Sequence, residues 1–505
     1  MRQTPITAAI FLALGGTLFA AIDEPTRLDS GLVSGKAGQE SDMRIFKGIP
    51  FAAPPVGNLR WRAPQPAPHW DGVRQADAFS PVCMQNSFNN AAAKPSEDCL
   101  YLNVWTAAKS ASEKRPVMVW IYGGGYNTGS GSVPNYDGEH LAVKGAVVVT
   151  FNYRLGAFGF FGHPELTRET DRRGAANFGV LDSIAVLHWV QKNIVAFGGD
   201  PKRVTIFGES AGSGMVAHLM ASPQAKGLFE RAIGESSAWG ISPDTRAKTL
   251  ADAEQAGVKL AEALGARSLA DLRAQPAEAI LKSGRGTGPV VDGWVLPEDP
   301  AKVFAEGKEN AVPVLLGSNQ DEGTFFLQPT TADKFLAQSH SRYGALADEF
   351  LKLYPAGSDE QANASALMDF RDQMAFVMRN WARLEEKTGK TKAYVYYFTH
   401  QPPEPEGAKG GRRRGATHVA EVPYVFNNQG NRPWTEVDHQ VADLMSSYWV
   451  NFATNGDPNG KGLPRWPVFD ERKSGTVMVF GDRPEPGSVL NPAQVEFFQK
   501  VYDQK

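Results

Sequence analysis

The run Gly208-Glu209-Ser210-Ala211-Gly212-Ser213 lies between a short apolar segment, Val204-Thr205-Ile206-Phe207, and a stretch of helical character from Gly214 to Met220. A serine between two glycines at a strand-to-helix junction predicts a nucleophile elbow, in which small neighbours allow a strained turn to lift Ser210 clear of the backbone. The same turn points helix N-terminal N–H groups at whatever Ser210 attacks. In a chain with 51 glycines among 505 residues, the five-residue pattern alone also fits an ordinary tight turn, so its surroundings matter.

Those surroundings read as an α/β protein. Apolar strand-like runs recur at Leu100–Val104, Val117–Ile121, Ala146–Phe151, Val204–Phe207 and Val312–Leu316, separated by helical or Gly/Pro-rich segments. Such alternation predicts a mostly parallel central sheet with helices on both faces. Between Phe178 and Phe197 the residues Leu181, Ile184, Leu187, Val190 and Ile194 repeat at helical spacing, and Gly198-Gly199-Asp200-Pro201 stops the helix before the nucleophile strand. The stretches 242–283 and 331–387 turn helical and are expected to cap the sheet's C-terminal edge, where open α/β sheets place ligands. Ala393–Phe398 and Thr476–Phe480 are the last strand candidates, and Asp438–Thr454 and Ala493–Tyr502 the last helices. With 42% hydrophobic and 21% charged residues and no internal repeat, residues 22–505 read as one catalytic domain with cap insertions. A formal net charge of −3 offers no footprint for nucleic acid.

Met1-Arg2 followed by a mostly apolar segment from Ile6 to Ala21 and then Asp23-Glu24 predicts a signal peptide over residues 1–21. The segment is too short to span a membrane, so a secreted or periplasmic protein without stable membrane insertion is expected. An uncleaved anchor is the alternative. An exported chain whose cysteines are Cys83 and Cys99 most economically forms one disulfide, and no nearby histidine suggests a metal site.

A serine hydroxyl needs a histidine base, and that imidazole needs a carboxylate to fix its tautomer. In α/β hydrolases the chain order is serine, acid, histidine. That order leaves His340, His400, His418 and His439. His340 lies in a cap-like stretch and His439 inside a predicted helix, so His400 and His418 are the loop candidates. Asp321 and Glu322, in the loop after Val312–Leu316, are the acid candidates, with Asp200, Asp292 and Glu298 weaker. Tyr122-Gly123-Gly124-Gly125-Tyr126 follows a strand, and its glycines leave bare N–H groups for an oxyanion. The elbow's Ala211 N–H adds a third donor. Trp239, Phe325 and Phe326 are candidates to line a pocket, with core packing as the alternative.

With these elements assembled, the chain closely resembles the type B carboxylesterase family of the α/β-hydrolase superfamily, which includes bacterial carboxylesterases and cholinesterases. The resemblance runs from about Arg44 to Phe469 and rests on "FKGIPFAAPPVGNLRWRAPQP" from Phe46, "SEDCLYLNVW" from Ser96, "FNYRLGAFGF" from Phe151, "NFGVLDSIAVLHWVQKNIVAFGGDPKRVTIFGESAG" from Asn177, "GSNQDEGTFF" from Gly317 and "NFATNGDPN" from Asn451. It implies Ser210 as nucleophile, Glu322 rather than Asp321 as acid, and His418 rather than His400 as base. It also implies oxyanion donors at Gly124, Gly125 and Ala211, and Cys83–Cys99 as the family's first disulfide. Many relatives have histidine where this chain has Tyr122, which changes a side chain and not the donors. The loop Met84–Asp98 lacks the tryptophan that cholinesterases use for quaternary ammonium groups, which speaks against a choline site. "YGGG" and "GRRRGATH" look similar to bacterial fumonisin-type esterases.

Two readings follow. The first is a serine carboxylesterase that cleaves small-molecule esters through an acyl-enzyme, with no cofactor and no metal. The second is a non-catalytic recognition module of the same fold, as among the cholinesterase-like adhesion proteins, and intact Ser210, Glu322 and His418 favour the enzyme. Arg412-Arg413-Arg414 stands just ahead of the base. Such a run ordinarily serves as a solvated loop. The sharper expectation is that it contacts a substrate carboxylate, for which the arginine fork is suited.

Overall fold

The parallel strands implied by the apolar runs assemble into one large mixed sheet. The computed structural model describes residues 22, 24–39, 42–86, 94–171, 174–242, 245–404, 415–473 and 475–504. The signal-like segment 1–21 lies outside the described residues. The sheet is built in chain order from β1 (Lys36–Ala37), β2 (Arg44–Pro50), β3 (Tyr101–Thr106), β4 (Arg115–Ile121), β5 (Val147–Phe151), β6 (Gly199–Glu209), β7 (Arg231–Glu235), β8 (Val314–Asn319), β9 (Ala393–Phe398), β10 (Val477–Phe480) and β11 (Glu485–Gly487). Its spatial order is β11-β10-β9-β8-β7-β6-β4-β5-β3-β2-β1. The run from β10 to β5 pairs parallel throughout, and antiparallel strands finish both ends. Fully buried Val117–Trp120, Val147–Val149, Val204, Ile206 and Leu315–Leu316 are the apolar residues that a parallel strand covered on both faces requires.

Helices α1 (Phe178–Asn193), α2 (Ala211–Ala221), α3 (Asp359–Thr388) and α4 (Glu436–Asn455) are the ones that bear on the site. Helix α1 continues into a short 3-10 turn that ends at Gly198, whose left-handed backbone (φ 77°) lets the chain reverse into β6. A buried pair anchors α1 to the chain leaving β5: the Arg154 guanidinium donates to Asp182 from Nε at 2.8 Å and Nη2 at 2.7 Å, and the Arg154 N–H donates to the same carboxylate at 3.0 Å. Removing one member of such a buried pair costs about 3–5 kcal/mol, because the other charge is stranded.

Besides adding the outer strands β1, β2 and β11, the structure departs from the sequence reading in three places near the site. Strand β7 escaped notice because Arg231-Ala232-Ile233-Gly234-Glu235 is short, charged at both ends and interrupted by glycine; β6 and β8 hold it extended from either side. Strand β6 begins at Gly199, five residues before its apolar run, with an irregularity in register between Gly199 and Val204. The helical stretch 331–387 does not all sit over the sheet's edge. Met378, Trp381, Ala382 and Leu384 of α3 are buried in the main core, and Trp381 packs edge-on to Phe304 at 5.8 Å. Among the described residues, no helix is long and apolar enough to cross a membrane.

Candidate active site

Strand β6 passes into α2 through Ser210, whose φ of 56° and ψ of −124° are held against the preference of a non-glycine residue, at a cost of order 1–3 kcal/mol. Two backbone hydrogen bonds fix the turn: the Ser210 N–H donates to the Glu235 carbonyl at 2.8 Å, and the Gly214 N–H donates to the Ser210 carbonyl at 3.0 Å. The two motif glycines are there for space. A Cβ on Gly208 would lie 2.5 Å from the Ile121 oxygen, and a Cβ on Gly212 would lie 1.9 Å from the same atom.

Ile121 is also the last residue of β4, so the glycine run that follows it is carried directly to the elbow. A Cβ on Gly123 would stand 2.7 Å from the Glu209 oxygen and 2.9 Å from Ser210 Cβ. Gly124 and Gly125 take positive φ of 98° and 63°. Their carbonyls accept hydrogen bonds from within the loop, Gly124 from the N–H groups of Asn127 and Thr128 at 3.1 Å and Gly125 from Asn127 Nδ2 at 2.6 Å. The N–H groups of Gly124, Gly125 and Ala211 donate to no acceptor among the described residues. Tyr122 stacks on Tyr153 at 4.5 Å, and the two exchange hydrogen bonds between each hydroxyl and the other's carbonyl, which braces the start of the run.

His418 comes from a turn between β9 and α4 that is tied to the loop after β8. Asp321 forms that tie: its N–H donates to the Ala416 carbonyl at 2.9 Å, and its Oδ2 accepts the Ala416 N–H at 2.8 Å. Asn319 Nδ2 adds a bond to the Thr417 carbonyl at 2.9 Å. Glu322, one residue on, then meets the imidazole, with Oε2 2.6 Å from His418 Nδ1 and Oε1 accepting the Asn319 N–H at 2.9 Å. His418 and Glu322 are 3% and 0% exposed. Of the two adjacent acids, Asp321 holds the loop and Glu322 contacts the ring.

The other ring nitrogen, Nε2, lies 3.0 Å from Glu209 Oε1 without the alignment of a hydrogen bond. Burial disfavours an imidazolium here, but the carboxylates of Glu209 and Glu322 outweigh it and raise His418 to about 9. Burial also pushes the Glu209 carboxyl well above the ordinary range, with Glu421 and Glu322 adding to it and His418 opposing. Glu421 is raised to about 7 by burial and then by Glu322. These two acids escaped the sequence reading. The signals were an acidic residue inside the elbow motif and another three residues after His418.

The remaining candidates lie elsewhere or at the rim. His400 is buried between Asp438 at 2.8 Å and Asp482 at 2.7 Å, where it joins the end of β9 to the start of α4. His340 lies on the helix Ala332–Tyr343 and His439 within α4. Asp200 and Asp292 bond nearby backbone N–H groups, and Glu298 pairs with Lys302 and Lys308. Phe325 and Phe326 are exposed, with ring centroids 5.5 and 4.7 Å from that of His418. Trp239 is half-buried against Tyr126 at 5.6 Å. Cys83 and Cys99 are joined by a disulfide. Arg412, Arg413 and Arg414 lie outside the described residues.

Residues 23–498 match the carboxylesterase family. The chain is 38% identical over 503 residues to a fumonisin B1 esterase of Sphingopyxis macrogoltabida, covering 93% of this chain and 89% of that protein. It is 34% identical to a para-nitrobenzyl esterase of Bacillus subtilis, covering 93% and 97%. Among solved structures, a Geobacillus stearothermophilus carboxylesterase superposes with a TM-score of 0.79 at 32% identity, covering 94% of this chain and 99% of that one. The chain therefore belongs to the carboxylesterase family, and it is a carboxylic ester hydrolase of the α/β-hydrolase fold.

Proposed function

We propose that the protein hydrolyses carboxylic esters through an acyl-enzyme on Ser210. The contact between His418 Nδ1 and Glu322 Oε2 at 2.6 Å carries this reading, because it orients a buried imidazole whose Nε2 has no hydrogen-bond partner among the described residues. His418 Nε2 takes the hydroxyl proton as Ser210 Oγ attacks the ester carbon, and Glu322 stabilises the imidazolium that forms. The charge developing on the carbonyl oxygen is met by the Gly124, Gly125 and Ala211 N–H groups, which have no other acceptor among the described residues. The imidazolium returns its proton to the leaving alcohol. A water deprotonated by His418 then releases the acid and restores Ser210.

Residues 1–21 serve in this reading as an export signal, and residues 22–505 as one catalytic domain whose inserted helices flank the site. The Cys83–Cys99 disulfide supports a secreted or periplasmic location. The test is covalent: a fluorophosphonate should add one mass increment to the peptide holding Ser210, and a nitrophenyl ester should show a burst of alcohol release before steady state. Ser210→Ala should abolish both. Labelling at another residue would remove Ser210 from the reaction.

A further inference from the structure

Glu209 and Glu235 stand directly opposite each other in the parallel pairing of β6 with β7, so their side chains leave the same face of the sheet. Both are buried, at 2% and 0% exposed. Glu322 and Glu421 are fully buried as well, and they reach the same region from the acid loop and the histidine turn. Three of these carboxyls act on one imidazole and Glu235 acts on two of the three, and among the described residues no lysine or arginine pairs with any of the four. Ionising all four would leave a large uncompensated negative charge in a dry space, at a cost of several kcal/mol per ion.

The four carboxyls differ in what supports each as an anion, whether hydrogen bonds or the charge of the imidazole. Glu322 has the His418 ring and the Asn319 N–H. Glu421 accepts from Asn319 Nδ2 at 2.5 Å, Ser236 Oγ at 3.3 Å and the Tyr396 hydroxyl at 3.5 Å. Glu209 Oε1 also lacks a hydrogen-bond partner among the described residues, but it lies 3.0 Å from His418 Nε2, whose imidazolium charge supports it. Glu235 has one donor, the Trp449 indole N–H at 2.8 Å on Oε1, and its Oε2 has no partner among the described residues. An oxygen in that position is where a carboxylic acid carries its proton and acts as a donor.

We propose that Glu235 is a neutral carboxylic acid in the working enzyme, and that its Oε2–H anchors the Glu209 and Glu421 carboxyls behind His418. It is a positioning residue, since it touches neither the ester nor Ser210 Oγ. Burial, then Glu421, then Glu209 all drive its carboxyl toward the protonated form, and the Trp449 N–H is the opposing influence. The other titratable groups acting on this region are His418, Glu322, Tyr396 of β9 and Tyr136. A neutral Glu235 adds no charge beside Glu209 and Glu421, the two carboxyls through which it would act on His418, so the imidazole can lose its proton and serve as base. The role of Glu235 in turnover rests on the Ser210–His418 chemistry proposed above, whereas its protonation state does not.

The experiment reads protonation directly. Infrared difference spectra of the full chain at neutral pH, wild type against Glu235→Gln, should lose one carbonyl-stretch band of a protonated carboxylic acid. The same loss is expected in a Ser210→Ala background, so the result stands whatever becomes of the acyl-enzyme reading. Loss of only carboxylate bands overturns the proposal. Kinetics supply the second readout. Glu235→Leu, which removes the donor at similar volume, should lower kcat about tenfold with KM little changed, and Glu235→Gln, which still donates, should recover most of that loss. Replacing an ionised Glu235 by the amide would move the acid limb of kcat/KM down by about one pH unit, whereas replacing a neutral acid leaves the limb in place. A limb that moves, or a Gln variant as impaired as the Leu variant, overturns the proposal.

Discussion

Gly212 lies so close to Ile121 that a Cβ atom on the glycine would stand 1.9 Å from the Ile121 carbonyl oxygen. Helix α2 is therefore seated on the end of β4 at a distance only glycine permits, and the Gly123–Gly125 run leaves that strand beside Ser210. Gly212→Ala should push the helix off the strand and separate Ser210 from the N–H groups proposed as its oxyanion donors. A displacement near 1 Å costs about 100-fold in rate, so kcat/KM for a nitrophenyl ester should fall by at least about that factor. Wild-type kcat/KM in a folded Gly212→Ala protein would show that this contact does not position the site.

His418 and His400 are both buried and both bonded to carboxylates, yet they sit in different places. His418→Ala and Ser210→Ala should each remove nearly all ester hydrolysis, because nucleophile and base act as a unit. His400→Ala should keep most activity and lose about 1–3 kcal/mol of stability, since it leaves the buried Asp438 short of a partner. Steady-state kinetics with urea unfolding checks both. An inactive His400→Ala with an active His418→Ala would reverse the assignment of the base.

Glu385 of α3 is raised to about 8, first by burial and then by Glu309 beside it. Such a carboxyl keeps its proton in the folded chain after the unfolded chain has released it. Its contribution to stability is therefore full below the unfolded value near 4.5 and is lost as pH rises to about 8. Glu385→Gln should melt close to wild type at acidic pH and be more stable above pH 8, by a few kcal/mol at about 1.4 kcal/mol per pH unit. Equal melting temperatures at both pH values would mean that Glu385 titrates normally.

The Cys83–Cys99 bond closes a short loop just ahead of β3, between positions 16 apart in the chain. Thiol titration of the denatured, unreduced protein should find no free thiol. Cys83→Ser with Cys99→Ser should destabilise the fold by about 3 kcal/mol. Two titratable thiols in exported protein would reject the bridge and weaken the case for export.

Arg412, Arg413 and Arg414 precede His418 by a few residues in a slightly acidic chain. If they meet a substrate carboxylate, their replacement by alanine should raise KM for an ester bearing a free carboxylate and spare a neutral ester of similar size. Added salt should mimic the loss. The comparison is kcat/KM for the matched pair in wild type and in each single variant. Equal changes for both esters, or none, would leave the run as a solvated loop.

The elbow at Ser210 and the glycine run at Gly123–Gly125 were legible in the chain, because each is a local demand on backbone conformation. Small residues must flank a strained serine, and N–H groups can approach an oxyanion only where side chains are missing. The apolar runs of β4, β5, β8 and β9 were legible for the same reason, since strands covered on both faces must be apolar along their length. Spacing left open which of two adjacent acids faces an imidazole 96 residues away; the family resemblance named Glu322, and the tertiary structure gives the physical reason. That choice depends on Asp321 being spent as the clamp on Ala416, a contact between segments that share no local pattern. Tertiary structure likewise placed His400 between Asp438 and Asp482, laid the second half of α3 on the sheet, and set Glu235 opposite Glu209 through the register of β6 and β7. A strand's period of two says which residues share a face, but only pairing with a distant strand says which carboxyls meet there.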